Sequence, residues 1–240
     1  MYLFKYIYGW CIDLIFTIIN VYVVWVFITM NYISHRGVHQ FFKENTLQAF
    51  EQAMENGFNY IEFDIRRLAD GNLVILHNSK IKGIPLRSID ISTLRAIDPD
   101  VPLFEEVLSN IGLKVKLDIE LKEEGYENEV MTLVHKYINE SQYMISSFHP
   151  RSLIKIQKQF PLTKVGLLIS RGTCLNLLYL RNFKLVLPKL VLVKLMPWIF
   201  RQQSKEVIVW DITKAKDFQK LITWSNISGI ISDNERPLLQ

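Results

Sequence analysis

Y-I-S-H-R-G at residues 32–37, E-N-T-L-Q-A-F at 44–50, Y-I-E-F-D at 60–64, D-G at 70–71 and L-V-I-L-H-N at 73–78 make up the stretch around which the chain is organised. Two apolar runs of strand length flank Asp70-Gly71, a dipeptide whose tolerance of positive φ favours a tight hairpin turn. A two-residue loop centred there pairs Ala69 with Asn72, Arg67 with Val74 and Asp64 with His77. Residues opposite one another on paired strands share a face, and so do residues two apart along one strand. Glu62, Asp64 and His77 are therefore expected to point the same way. An E-x-D strand by itself is most simply a solvated polar face. A histidine landing opposite the aspartate moves the reading towards a site.

Past residue 30, strand and helix patterns alternate, as in a parallel sheet with crossover helices. Strands are expected at 31–34, 59–65, 114–120, 142–147, 164–169, 184–187, 206–212 and 227–232, with 72–77 as an added hairpin arm. Helices are expected at 45–56, 102–111, 126–139, 150–159, 173–181, 189–203 and 214–225. Asn45 reads as the N-cap of the first helix, and Gly57 stands just past its end. Eight such units in a chain of this length make a compact (β/α)8 barrel, a TIM barrel of the α/β class. The chemistry of such barrels sits at the C-terminal ends of the strands. His35, Glu62, Asp64, Glu120, Phe148 and Trp210 all fall at or near one. Taken singly, each is ordinary as a core or solvated residue. Together, at one end of successive strands, they are better explained as a site.

H-R-G after a short strand, E-x-D on the next, D-G, and a strand ending in histidine are followed in order by I-E-L-K at 119–122, S-S-F-H-P at 146–150, V-W-D-I at 209–212 and G-I-I-S-D at 229–233. This ordered set, running from Tyr32 to the end of the chain, resembles the glycerophosphodiester phosphodiesterase family. The resemblance implies the barrel again, of the phospholipase C-like type. It also implies metal-dependent hydrolysis of glycerophosphodiesters to an alcohol and sn-glycerol 3-phosphate. It assigns Glu62, Asp64 and Glu120 to a divalent cation, Ca2+ or Mg2+. Hard divalent cations take oxygen ligands, which these carboxylates supply, whereas no Cys/His cluster has zinc spacing. Asp118, Glu120 and Lys122 alternate on one strand face, so that a ligand and a cation line the site together.

Phosphodiester hydrolysis needs charge neutralised on the phosphoryl oxygens and a proton for the leaving alcohol. The metal, Arg36 and Lys122 suit the first task, at the substrate phosphate. His35 and His77 suit the second, one as base and one as acid, because imidazole titrates near neutrality. Phe148 and Trp210 are expected to wall the pocket, if they are not simply core. Similarity to the family further suggests that the substrate's glycerol hydroxyl attacks first, giving a cyclic phosphate that water opens. The chain departs from the family at Asn78, where Asp usually follows the histidine. It also lacks the usual R-T-T loop after it, and ends G-I-I-S-D-N-E instead of G-I-I-T-D-x-P. None of the metal, histidine or lysine positions is lost. Lysophospholipase D action on lysophospholipids is the neighbouring expectation. A catalytically weakened, membrane-bound sensor is the expectation from another class, and a phospholipase C-like or sphingomyelinase D-like enzyme is a third.

The 240 residues suffice for one such barrel, expected at 31–240, behind a transmembrane anchor at 1–30. Residues 7–30 are nearly all apolar, broken by Asp13, Asn20 and a few Thr and Tyr. A spanning helix needs roughly 20 such residues. Tyr2, Tyr6, Tyr8 and Trp10 at one end and Tyr32 past the other resemble interfacial anchors. A signal peptide has a shorter apolar part and a small-residue cleavage site, and a core helix has polar positions at helical spacing. Neither pattern is evident. The expectation is a single-pass membrane protein, with the side of the membrane left open. Cys11 and Cys174 offer no disulfide framework. Residues 1–150 carry 13 Lys and Arg against 19 Asp and Glu, and residues 151–240 carry 15 against 5. The apolar, basic run at 180–201, with Trp198 and Phe200, fits a helix on an anionic membrane or an ordinary barrel helix with solvated lysines. No nucleic-acid motif accompanies the basic half, and the expected partner is a small-molecule or lysolipid phosphodiester.

Overall fold

The structure, a computed structural model, describes residues 30–233. In chain order, β1 (Asn31–His35) leads through α1 (Leu47–Glu55) to β2 (Tyr60–Arg67), which turns back as β3 (Leu73–Ile75). A small hairpin, β4 (Lys80–Ile81) and β5 (Ile84–Pro85), precedes a 3-10 turn at Leu86–Ser88, α2 (Ile91–Ile97) and α3 (Phe104–Ile111). Then come β6 (Lys116–Leu121), α4 (Glu127–Tyr137), β7 (Tyr143–Ser147), α5 (Pro150–Gln159) and β8 (Val165–Ile169). A 3-10 stretch at Arg171–Asn182 leads to β9 (Leu185–Pro188), α6 (Leu190–Leu195) and α7 (Pro197–Phe200). β10 (Glu206–Trp210), α8 (Ala215–Leu221) and β11 (Ile227–Ser232) complete the described chain.

The hydrogen-bonded order is β1-β11-β10-β9-β8-β7-β6-β2, and β2 pairs back with β1. Eight parallel strands thus close into a barrel, as the alternating pattern predicts, with β3 as an antiparallel arm on β2. Parallel strands are covered on both faces, which is why runs such as V-G-L-L-I at 165–169 are apolar throughout and wholly buried. Ile33, Tyr60, Met144, Leu168, Leu187, Ile208 and Ile231 fill one core cluster, with Phe148 and Trp210 packed against it. The ring closes tightly at its seam. A Cβ on Gly229 would lie 2.8 Å from the Asn31 carbonyl oxygen, so this position of β11 takes only glycine without displacement.

Five local expectations are corrected. The hairpin pairs Arg66 with Val74 and Arg67 with Leu73, one residue out of the expected register. Of Asp70 and Gly71 only Gly71 has positive φ, at 88°, so the tight two-residue turn that needs both does not form. The cap of α1 is Thr46, whose side chain accepts from the Ala49 amide; Asn45, at φ 60°, is turned to other use. The helix expected at 189–203 breaks into α6 and α7 at Pro197, whose ring and missing amide end a helix. The segment expected as a helix at 173–181 is 3-10, with Thr173 off helical geometry. α2 lies outside every helix expected from the pattern. Asp90 caps it on the Thr93 amide, and its Leu94 joins Leu68, Val74, Ile81, Leu86 and Val101 in a small second core beside β3.

In the basic run at 180–201, Phe200 is buried and belongs to the barrel, while Trp198 is exposed. No helix among the described residues is long and apolar enough to cross a membrane. The anchor expected at 1–30 lies outside the described residues, apart from Met30.

Candidate active site

A cavity of about 120 Å³ opens among the strand ends of the barrel, lined by His35, Arg36, Glu62, His77, Glu120, Lys122, Phe148 and Trp210, with Asp118 and Ser146 also contributing. All the expected site residues except Asp64 line it directly. Asp64 is fully buried and reaches it through its ion pairs with Arg36 and Lys122.

H-R-G does its work through backbone shape. Arg36 and Gly37 both have left-handed φ, 60° and 80°, and a Cβ on Gly37 would fall 2.7 Å from backbone atoms of Ala49. The chain can therefore turn sharply out of β1 with Gly37 packed against α1, leaving His35 and Arg36 at the strand end. The Arg36 amide donates to the Glu62 carbonyl at 2.9 Å and to Glu62 Oε2 at 3.1 Å. The guanidinium pairs with Asp64 at 3.1 Å and with Glu44 at 3.0 Å, so part of its charge is already engaged within the protein.

Glu62, Asp64 and Glu120 come from the neighbouring strands β2 and β6, in register Asp64 opposite Glu120. One oxygen from each lies within 4.8 Å of the others, and all three residues are buried. Lys122 Nζ sits 2.6 Å from Glu120 and 2.9 Å from Asp64. Burial alone would raise Asp64, but Lys122 and Arg36 hold it below the usual carboxylate range. Burial, with repulsion from Asp64, Glu120 and Asp118, pushes Glu62 well above that range. Burial likewise pushes Glu120 up to about 8, against the pull of Lys122. Glu62 Oε1 is buried and accepts no hydrogen bond. A cluster of three hard oxygen donors, crowded enough to raise Glu62 and Glu120 and with Glu62 Oε1 unmet, fits a divalent cation.

His35 reaches Asp233 through Nδ1, and its Nε2 lies 3.9 Å from Glu62 Oε2. The hydrogen bond from His35 holds Asp233 below its usual value, against burial. His77 arrives by a route the hairpin arithmetic did not foresee. Leu76, not His77, sits level with Asp64, its amide donating to the Asp64 carbonyl at 3.0 Å. Regular pairing ends at Ile75, and it is this early departure from the ladder that lets His77 turn into the cavity. Its Nδ1 lies 3.1 Å from Asn78 Oδ1, and burial lowers its pKa below the usual histidine value. Phe148 and Trp210 stand edge to face, ring centroids 6.0 Å apart, and the indole N–H donates to the Leu187 carbonyl at 2.9 Å.

Two contributors escaped the sequence reading. Asn45, taken for a helix cap, donates from Nδ2 to Asp64 Oδ2 at 2.9 Å and is buried. Asp233 stands out in the sequence only as the last residue of the G-I-I-S-D run. Barrel closure pairs Ser34 with Ser232 and so brings the next residues, His35 and Asp233, side by side. The closed barrel expected from the sequence already sets the first and last strands side by side, so that pairing was legible.

The family model of glycerophosphoryl diester phosphodiesterases matches residues 35–235. A glycerophosphodiester phosphodiesterase of Caldanaerobacter subterraneus subsp. tengcongensis is 26% identical over 239 aligned positions, covering 86% of this chain and 95% of that protein. One from Bacillus altitudinis is 29% identical over 159 positions, 56% of this chain and 64% of its own length. Among solved structures, a glycerophosphodiester phosphodiesterase from Parabacteroides distasonis has a TM-score of 0.75 at 20% identity, covering 87% of this chain and 94% of that one. A phosphodiesterase of Oleispira antarctica, in complex with the product sn-glycerol-3-phosphate, has a TM-score of 0.71 at 21% identity, covering 87% and 95%. At such identities the structural likeness establishes the fold.

Proposed function

Because the chain belongs to the glycerophosphoryl diester phosphodiesterase family and is a phosphodiester hydrolase, we propose that it cleaves glycerophosphodiesters to an alcohol and sn-glycerol 3-phosphate. The observation that carries the reading is the meeting, in one cavity, of two histidines, a lysine and a buried three-carboxylate cluster. The product complex of the Oleispira antarctica phosphodiesterase, on the same fold, supports it.

Glu62, Asp64 and Glu120 would hold a divalent cation, Ca2+ or Mg2+, which when bound would act as a Lewis acid on the phosphoryl oxygens. Lys122, pinned between Glu120 and Asp64, adds a fixed positive charge for the substrate phosphate, and the portion of Arg36 facing the cavity adds another. Burial favours the neutral form of His77, which suits it to take a proton. His35 is oriented through Nδ1 by Asp233, leaving Nε2 on the Glu62 side, which suits it to give a proton to the leaving alcohol. Phe148 and Trp210 wall the pocket. Attack by the substrate's own glycerol hydroxyl, through a cyclic phosphate, is the favoured route. Absence of any cyclic species, together with unchanged turnover of an analogue lacking the attacking glycerol hydroxyl, would count against it.

Lysophospholipids are a second substrate class for the same chemistry. Phe41 and Phe42, exposed in the loop after Gly37, are the observation in its favour. The apolar run at 7–30 supports a single-pass anchor ahead of a barrel at 31–240, which would keep the enzyme at a membrane. The test is phosphorus NMR on glycerophosphocholine and, separately, lysophosphatidylcholine, with and without Ca2+ or Mg2+, for the wild type and Glu62→Ala. Glycerol phosphate or lysophosphatidic acid from the wild type alone is expected. No product, with metal bound and the fold intact, would favour a binding protein that has lost catalysis.

A further inference from the structure

His77 does not sit on a barrel strand. The ladder that would fix it ends at Ile75, and its ring partner Asn78 is neutral. Yet a proton-transfer group must be held to a fraction of an ångström, because a 1 Å displacement costs about 100-fold in rate. The structure shows what holds it. Arg66, on β2, donates from Nε at 2.9 Å and from Nη2 at 2.7 Å to the carbonyl oxygen of His77. Its third arm, Nη1, donates to Glu123 Oε1 at 3.0 Å. Glu123 Oε2 in turn accepts from Arg87 Nε at 2.7 Å. Glu123 immediately follows Lys122, and its amide donates to the Tyr126 hydroxyl, which donates to the Ile65 carbonyl. The Arg66 and Glu123 side chains are largely covered, at 13% and 17% exposure, so their hydrogen bonds are poorly replaced by water.

We propose that Arg66 is the positioning residue of His77, gripping its main-chain carbonyl in place of a strand ladder, with Glu123 and Arg87 as its buttress. The planar guanidinium is suited to this, since it presents two donors to one oxygen while a third is tied to a carboxylate. The buttress also ties the His77 loop to the segment that carries Lys122, so the two sides of the cavity are set by one network. The inference rests on the reading of His77 as a proton-transfer group.

The test is steady-state hydrolysis of glycerophosphocholine, with divalent metal, by the wild type, Arg66→Ala, Arg66→Lys, His77→Ala and the double variant Arg66→Ala/His77→Ala, each checked by thermal denaturation. Arg66→Ala is expected to lower kcat by about 10- to 100-fold with KM changed by less than about twofold. Arg66→Lys, which keeps the charge and bulk but cannot serve both partners, is expected to fall between wild type and Arg66→Ala, and it stands in should the alanine variant not fold. In the His77→Ala background, Arg66→Ala is expected to cost nothing further, since residues acting as one unit are not additive. An unchanged kcat in Arg66→Ala or Arg66→Lys would overturn the proposal, as would a full additional loss in the double variant. A His77→Ala enzyme as active as wild type would instead remove the premise, and with it the reading of His77.

Discussion

Glu62 and Glu127 are buried to the same degree, each 3% exposed, and their environments are opposite. Glu127, in the first turn of α4, accepts from Ser152 Oγ at 2.5 Å, Lys155 Nζ at 2.8 Å and the Gly125 amide at 3.0 Å. Burial would raise its pKa, but these partners bring it down to about 2. Glu62 has the Arg36 amide on one oxygen, no hydrogen bond on the other, and further carboxylates beside it. Burial does not decide what a carboxylate is for; its partners do. The fold supplies donors in full where Glu127 ties α4 to α5, and withholds them at Glu62, where a cation would complete the set. Charge left unmet at the expense of stability is characteristic of functional sites.

The contrast can be broken most severely at the site itself. Glu62→Gln is expected to lower turnover by about 1,000-fold or more, within the range of lost metal and acid-base catalysis. Its metal-free form should be at least as stable as wild type, because a repelling charge is gone. Glu127→Gln should do the reverse: turnover per folded molecule within about twofold of wild type, and a stability loss of about 2 kcal/mol in urea denaturation, as for a broken buried charge network. A stable, active Glu62→Gln enzyme would erase the distinction.

Asp233→Asn should cost about 10- to 100-fold in turnover, the usual range for a group that orients a working side chain. Rates from the purified variant decide it, and an unchanged rate would reduce the His35–Asp233 pair to packing. Saturating cation, at 100 times its Kd, should then add about 2.7 kcal/mol to the stability of wild type. Glu62→Gln should show little of that gain, measured as the shift in Tm on adding Ca2+ or Mg2+ after chelation.

The pH dependence of the metal-free protein sharpens the comparison further. Glu127 titrates near 4.5 when unfolded and about 2 when folded, so its contribution is complete above pH 4.5 and is lost as pH falls towards 2. Glu120 has the opposite sign. Its folded value of about 8 lies above the unfolded 4.5, so stability is lost as pH rises from 4.5 through about 8. Denaturation midpoints across pH should show both limbs, with Glu127→Gln flattening the acid one and Glu120→Gln reducing the alkaline one, to which buried Glu62 and Asp118 also contribute. The smallest effect belongs to the surface. Lys136→Ala, which removes an ion pair with Glu105 in water, should leave the midpoint within experimental error.

Most of this architecture is legible in the sequence because alternation is a strong signal. The eight barrel strands stand where apolar runs and turn residues place them, and the carboxylates of E-x-D and I-E-L-K meet because they lie on neighbouring strands. What local pattern cannot supply is the backbone conformation of single residues. The hairpin register turned on whether Asp70 adopts positive φ, and the difference of one residue put Leu76 where His77 was expected. Asn45 looks like a cap because it precedes a helix, and only its left-handed φ, set by the turn after H-R-G, sends it to Asp64. Asp233 depends on closure of the first strand against the last, a contact at |i−j| of 198 that no window of sequence contains. Arg66 carries no signal of its own in the sequence, and its role shows only where two of its donors meet on the His77 carbonyl.

A cation that completes the unmet carboxylates is expected to be the one on which turnover depends. Titration of Ca2+ or Mg2+ into chelator-stripped protein, with release of glycerol phosphate from glycerophosphocholine followed throughout, tests it most directly. Turnover should be absent at the start and rise in a saturable, single-site manner that Glu62→Gln abolishes. Full turnover by the stripped wild-type protein in excess chelator would contradict that dependence.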